Sequence, residues 1–327
     1  MPKIDLITGF LGSGKTTFIR RYAEFLISKG ERVGILENDF GAVNVDTMLL
    51  SDIESEKCGL EMISGGCCQE PAAHRRRFGT KLIAMRMDGY DRVIVEPSGI
   101  YEVDEFFDTL RDEPLDRWYE IGNVISLVDA HLEDGLPSEA EYLLASQISC
   151  AGAVVITKSG GVPQDRIDGV ISHLNRALSA VRCIRTLGEE VICRDNLELT
   201  PEDFEELSSC GYRLESCEKT IFDPDHAFDS LFYMHPGVPA GRVGAAVKRI
   251  FEDDACGNVM RVKGFLRATA DSAGNLDIPA VDEACGGWIE INATPSSVEI
   301  NSISRGQEII IVTGQNLDKG RIGMYLN

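Results

Sequence analysis

Short apolar runs alternate with amphipathic stretches through roughly the first 190 residues. IDLIT (4–8), VGILE (33–37), RVIVEP (92–97), VISLVDA (124–130) and AVVITK (153–158) each read as a strand. They are rich in Val and Ile and almost continuously hydrophobic, which is the pattern of strands buried on both faces. Between them, TTFIRRYAEFLISKG (16–30) repeats its apolar residues at helical spacing and ends at a glycine. Residues 71–87 and 138–149 are two more helical segments. Strands separated by helices predict an α/β fold, a mainly parallel sheet flanked by helices.

The pattern changes beyond about residue 190. TPEDFEELSSCG (200–211) predicts one more helix; FDSLFYM (228–234), 259–268, 287–292 and 308–313 predict strands, and RVGAAVKRIFED (242–253) a helix. This order predicts a smaller, mainly antiparallel α+β domain. The chain is therefore expected to hold two domains, 1–215 and 216–327, as its 327 residues exceed what one core usually supports.

Composition narrows the function classes. Lys and Arg number 32 against 53 Asp and Glu, a formal charge of -21 that argues against nucleic-acid or anionic-membrane partners. No apolar run approaches the ~20 residues of a membrane span. MPKIDLITGF enters a strand with no signal-peptide pattern, so the expected location is cytoplasmic. Thiols stay reduced there, and ten cysteines do not imply a disulfide framework. Cys150, Cys183 and Cys193 sit in apolar surroundings and read as small buried hydrophobes, whereas Cys67 and Cys68 lie in the glycine-rich ISGGCCQE (63–70).

The chemistry-bearing motif is GFLGSGKT (9–16), which fits G-x-x-x-x-G-K-[ST] between a strand and a helix. Gly9, Gly12 and Gly14 let the backbone curl so that successive N–H groups face a phosphate. The helix start adds its positive end. Lys15 is expected to reach the β- and γ-phosphates and Thr16 to present its hydroxyl to Mg²⁺, with Ser13 and Thr17 completing the nucleotide-binding set. RVIVEPSG (92–99) ends an apolar strand in Glu96, the acid expected to meet Mg²⁺ or its water; Gly99 would bring a backbone N–H to the γ-phosphate. Lys15, Thr16 and Glu96 are thus the candidate catalytic residues. In AVVITKSG (153–160), Thr157 and Lys158 stand where a base-recognition motif [NT]-K-x-D would begin, but Gly160 occupies the aspartate's place. GTP and ATP both remain open on that ground.

In order and spacing, GFLGSGKTT (9–17), ENDFGAVNVD (37–46), GGCCQ (65–69), VEPSG (95–99) and TKSG (157–160) resemble the CobW-like P-loop GTPases of the CobW/HypB/UreG group. RVKGFL (261–266) and EIIIVTGQNLD (308–318) are similar to that family's smaller C-terminal domain. The resemblance implies GTP/GDP and Mg²⁺ as cofactors. It also implies hydrolysis that gates delivery of a metal ion such as Zn²⁺ or Co²⁺, or that supports a metal-dependent cofactor such as cobalamin. The partner would be a client metalloprotein or a corrinoid-dependent enzyme. ENDFGAVNVD corresponds to a segment that senses the γ-phosphate, with Glu37, Asp39 and Asp46 as its acids. Three departures stand out: Gly65 occupies the first position of the family's C-x-C-C, Ala42 replaces a common acid, and the five histidines do not cluster.

Two thiolates, Cys67 and Cys68, with Glu37 or Asp39 could form a labile metal site, since zinc normally takes four ligands. Cys58 and His74 are further candidates. A structural loop and a redox pair are the alternatives: Pro71 and Glu70 suggest a helix start, where thiol pKa falls. Arg75, Arg76 and Arg77 read as a solvated surface or a domain-interface contact, with a phosphate- or partner-binding role as the alternative. The leading expectation is a nucleotide-hydrolysing metal switch with low intrinsic turnover. The alternatives are a P-loop kinase acting on a small acceptor, or a nucleotide-gated binding module without metal transfer.

Overall fold

The computed structural model describes residues 1–39, 50–64, 71–195, 197–215, 217–218, 228–268 and 287–327. Cys67, Cys68, Asp46 and the side chain of Asp39 lie outside the described residues. The chain divides into two compact units, Met1–Phe222 and Asp223–Asn327.

The first unit contains β1 (Lys3–Gly9), α1 (Lys15–Ser28), β2 (Val33–Asp39), β3 (Cys58–Ser64), α2 (Pro71–Asp88), β4 (Arg92–Pro97), α3 (Val103–Leu110) and α4 (Leu115–Trp118). It continues with β5 (Glu120–Asp129), α5 (Ser138–Ser149), β6 (Ala153–Thr157), α6 (Gln164–Ala180), β7 (Ile192–Cys193) and α7 (Pro201–Leu207). Its sheet runs β3-β2-β4-β1-β5-β6-β7, and every pairing is parallel. The apolar runs become the interior strands because helices cover both faces and leave no side for water. On one face Phe18, Ile19, Tyr22 and Leu26 of α1 pack with Ile35, Ile94 and Ile125. Phe204 of α7 closes this cluster, its ring 5.8 Å from Phe18 and 5.7 Å from Phe25.

A polar knot lies at the sheet edge where β1 and β4 begin. Asp5 is fully buried; it accepts from Arg92 Nη1, Tyr22 OH and the Asn123 N–H, each at 2.8 Å. Asn123 continues the network to Ser208 O and the Gly211 N–H, which fastens the end of α7 to the sheet. A buried carboxylate is tolerated here because its charge is paired and its lone pairs are filled.

The second unit is a five-stranded antiparallel sheet in the order β11-β10-β9-β12-β8. Its strands are β8 (Asp229–Met234), β9 (Asn258–Arg267), β10 (Trp288–Thr294), β11 (Ser297–Ile303) and β12 (Ile309–Gln315), with α8 (Ala240–Glu252) and α9 (Lys319–Leu326). Val243, Val247 and Ile250 of α8 and Ile322 and Leu326 of α9 bury the face formed by Val262, Leu266, Ile289, Ile291, Ile310 and Val312.

The expected helix at 200–211 is shorter, ending at Leu207. Beyond the expected set stand β3, β7, β11, α3, α4, α6 and α9. β3 and β11 are edge strands, half exposed over most of their length, and so lack a continuous apolar run. Of the three cysteines expected to be buried, Cys150 and Cys183 are; Cys193 is exposed. It lies on β7, a two-residue strand at the sheet's other edge, with too little cover to bury it.

Candidate functional site

β1 stops at Gly9 and α1 begins at Lys15, so five residues must turn the chain between them. Gly9 has φ 151°, and a Cβ there would lie 2.3 Å from the Leu127 carbonyl oxygen. Gly12 and Gly14 have φ 80° and 81°, the left-handed region that glycine enters at no steric cost. Gly14 caps α1, and the loop so formed turns backbone N–H groups and a helix N-terminus toward one point. Lys15 is buried and folds back to donate from Nζ to Gly9 O at 2.8 Å. Ser13 is buried beside it, and Thr17 is exposed one turn-position on.

Because β4 is hydrogen-bonded to β1, the acid at its end arrives next to this loop. Thr16 Oγ1 donates to Glu96 Oε1 at 2.9 Å. Glu37 is the register partner of Glu96 across β2 and β4. Side chains two residues apart share a sheet face, so Glu37 and Glu96 extend the α1-facing rows of Ile35 and Ile94. Both carboxyl groups are nearly fully buried, at 2% and 6% exposure. A hydroxyl with two neighbouring carboxylates is a hard oxygen donor set of the kind Mg²⁺ takes, and it sits against the phosphate loop. These residues fit that ion.

Gly99 follows two residues after β4. A Cβ there would approach Leu11 N to 2.9 Å, so the turn lies against the phosphate loop with no room for a side chain. Gln147 of α5 holds the turn: its Nε2 donates to Gly99 O at 3.1 Å and Tyr101 O at 3.3 Å. Sequence reasoning missed Gln147, whose one trace is a polar residue inside the apolar YLLASQIS run. Thr157 is buried at the end of β6, and its hydroxyl lies 2.9 Å from Ser13 O and 3.2 Å from Val128 O. In this conformation Thr157 fastens the phosphate loop to the neighbouring strand. Lys158 has φ 54° and places Nζ 3.2 Å from Asp129 Oδ2 at the end of β5; Asp129 also accepts the His131 N–H at 2.8 Å. Asp129 was visible only as the strand-end acid of VISLVDA. A Cβ at Gly160 would meet nothing within 4 Å.

The cysteine pair follows β3, which leaves the sheet next to β2. Of its suggested companions, Cys58 sits at the opposite end of β3 opposite Val33, a strand's length from residue 65. Burial pushes its thiol up to about 11, so it is no partner for a metal at the other end. His74 is buried on α2, with Nδ1 2.7 Å from Glu105 Oε1 on α3. Arg75 reaches Asp108 O on the same helix at 2.7 Å and Asp112 Oδ2 just beyond its end at 2.8 Å, so it stitches α2 to α3. Among the described residues no group of three or more His, Cys, Asp or Glu is placed to hold a metal ion. No described helix is long and apolar enough to cross a membrane.

Comparison with known proteins agrees with this geometry. The chain is 30% identical over 161 residues to zinc chaperone YeiR of Escherichia coli, covering 49% of this chain and 47% of that protein. It is 28% identical over 163 residues to zinc chaperone YjiA of the same organism, covering 48% and 49%. Zinc-regulated GTPase metalloprotein activator 1 of Schizosaccharomyces pombe matches at 22% over 190 residues, 57% of this chain and 45% of that protein. The chain thus spans about half the length of the curated relatives it matches. The family model described as CobW/HypB/UreG, nucleotide-binding domain, matches residues 3–184, which hold the phosphate loop, Glu37, Glu96, Gly99, Thr157 and Lys158. The chain belongs to the CobW/HypB/UreG family.

Proposed function

We propose that this protein is a GTP-hydrolysing switch that delivers a metal ion, zinc being the cargo favoured by its zinc-chaperone relatives. The observation that carries the reading is the position of Glu37. On one side it neighbours Glu96, which already grips the Thr16 hydroxyl. On the other side β2 pairs with β3, which runs into Gly65–Cys68. One acid therefore stands between the nucleotide edge of the sheet and the strand that leads to the thiols. The same placement supports Glu37, with Asp39, as the oxygen partners of Cys67 and Cys68.

In this mechanism the loop amides of Gly12–Thr16 bind the phosphates. Lys15 would exchange its bond to Gly9 O for the β- and γ-oxygens, and Thr16 and Glu96 would hold Mg²⁺, directly or through water. Mg²⁺, when bound, would neutralise charge on the phosphates during transfer. Gly99, held by Gln147 against Leu11, offers a main-chain N–H toward the γ-phosphate position and changes partner when that phosphate leaves. Slow intrinsic turnover completed by a partner fits this reading, since switches of this class often take positioning residues in trans. A client metalloprotein is the partner class this reading calls for.

The test is thermodynamic linkage. GTP and ATP affinities are measured with and without Zn²⁺, Co²⁺ and Ni²⁺, for the parent and a Cys67→Ser/Cys68→Ser variant. Metal and nucleotide should change each other's affinity by the same factor in the parent, typically ~5- to 150-fold, and not in the variant. Independence of the two ligands with all three metals would refute the switch.

A further inference from the structure

Seven cysteines fall among the described residues, and three of them converge where α5 ends. Cys150 follows the last residue of α5, and its Sγ lies 3.6 Å from Ser149 Oγ. Cys183 follows α6 and is buried, with its N–H donating to Leu178 O. Cys217 approaches from a later stretch and lies outside any helix or strand; its thiol neighbours Cys183, Ser149 and Cys150. Backbone contacts hold that stretch in place. The Glu218 N–H donates to Val181 O at 2.7 Å, the Arg213 N–H donates to Cys150 O at 2.9 Å, and Arg182 Nε pairs with Glu218 at 3.0 Å. Arg185 closes the same corner by donating to Ala151 O at 2.6 Å and to Ile148 O.

From this convergence we infer that Cys183 and Cys217 form an oxidation-reversible disulfide that fastens the chain at Cys217 to the end of α6. Cys217 and Cys183 lie one and two residues from the backbone bond between the Glu218 N–H and Val181 O, which makes their thiols neighbours. Neither Cys183 nor Cys217 lies in a helix or strand, so closing to the ~2 Å of an S–S bond needs only a local shift. Cys217 is the entry point because it is partly exposed, while Cys183 and Cys150 are buried.

The chemistry balances with a peroxide as oxidant. The Cys217 thiolate attacks one peroxide oxygen, an S–O bond forms, the O–O bond breaks, and the leaving hydroxide takes a proton to become water. Cys183 sulfur then attacks the sulfenic sulfur, the S–S bond forms, the S–O bond breaks, and a second water leaves with the Cys183 proton. Two thiols lose two electrons and hydrogen peroxide becomes two waters. Burial pushes the Cys217 thiol up to about 11, so little thiolate is present near neutrality and the reaction is best run at about pH 8.5.

The test is peptide mapping of the full-length protein after hydrogen peroxide treatment, with free thiols alkylated before trypsin. Cleavage after Arg182, Arg185, Arg213 and Lys219 isolates Cys183 in 183–185 and Cys217 in 214–219. The expected product is a cross-link between these two peptides that disappears with dithiothreitol. It should persist in Cys150→Ser and vanish in Cys217→Ser, and the oxidised parent should melt at a higher temperature than the reduced parent. Sulfinic or sulfonic Cys217 with Cys183 still alkylatable would overturn the inference, as would a cross-link from Cys217 to Cys150. None of these readouts depends on nucleotide or metal binding.

Discussion

Thr157 separates two accounts of how the end of β6 serves the nucleotide. By sequence position it belongs to a base-recognition motif; in the structure its buried hydroxyl is directed at Ser13 O, 2.9 Å away, and at Val128 O. Thr157→Val keeps the shape and removes the donor. Ser13 O then loses its hydrogen bond inside the protein, which costs about 1–3 kcal/mol for an unsatisfied buried acceptor. Part of that cost appears as lower stability. The remainder appears as a phosphate loop that spends less time in its binding conformation, which lowers apparent affinity by the same fraction for every ligand that uses the loop. If the whole cost fell on the loop, affinity would drop ~5- to 150-fold. GTP, ATP and inorganic tripolyphosphate should therefore weaken by a common factor in calorimetric titrations, with the GTP-to-ATP ratio unchanged. Loss of GTP affinity with tripolyphosphate binding intact would refute this and return Thr157 to the base.

Four other outcomes follow from the same contacts. Arg92→Met should destabilise the first unit by about 3–5 kcal/mol in urea unfolding, because it strands the fully buried Asp5; a loss below 1 kcal/mol would mean that Tyr22 and Asn123 suffice. Gly160→Asp should raise the GTP-to-ATP affinity ratio about tenfold in competition titrations, since the position faces open space and a carboxylate there can accept two base N–H groups. Thr200→Ala removes the N-cap of α7, where Thr200 and Asp203 form a reciprocal capping box, and should cost about 1 kcal/mol in denaturant unfolding. Burial opposes the charge on Asp203, but bonds from the Thr200 N–H and hydroxyl and from Arg194 outweigh it and hold that carboxyl below its usual range. A depressed carboxylate stabilises above its unfolded pKa and loses this as pH falls through its folded value. The penalty of Asp203→Asn should thus be full above about pH 4 and shrink in more acidic unfolding titrations; a penalty that grows in acid would contradict it.

The parts of the site legible in the sequence are those carried by local backbone need. A strand, three glycines at left-handed or crowded positions, a lysine and a helix start can be read in order because each demands its residue type. Glu96 was legible for a related reason, as an acid at the end of an apolar strand. Gln147, Asp129 and the hydroxyl role of Thr157 were not. Each is one polar residue in an apolar run, and the chain alone does not say which backbone group it will meet. Edge elements escaped for the opposite reason: β3 and β11 are only partly covered, so their sequences lack the hydrophobic run that marks interior strands.

Sheet order converts these local features into a site. Placing β4 between β1 and β2 brings Glu96 to Thr16 and Glu37 to Glu96, and placing β3 outside β2 sets the end of β3 two strands from β4 and three from β1, which leads into the phosphate loop. Adjacent strands lie about 4.8 Å apart, so the end of β3 is roughly 10 Å from that of β4. For the proposed switch, the described residues offer two routes between nucleotide and metal: β2, by a shift of Glu37, and α3 with α2, where Glu105 holds His74. These routes make different demands on one pair of variants. Glu37→Gln should abolish nucleotide–metal coupling if β2 is the route, while Glu105→Gln should leave it intact. The reverse pattern in the linkage titration would assign the coupling to the helices.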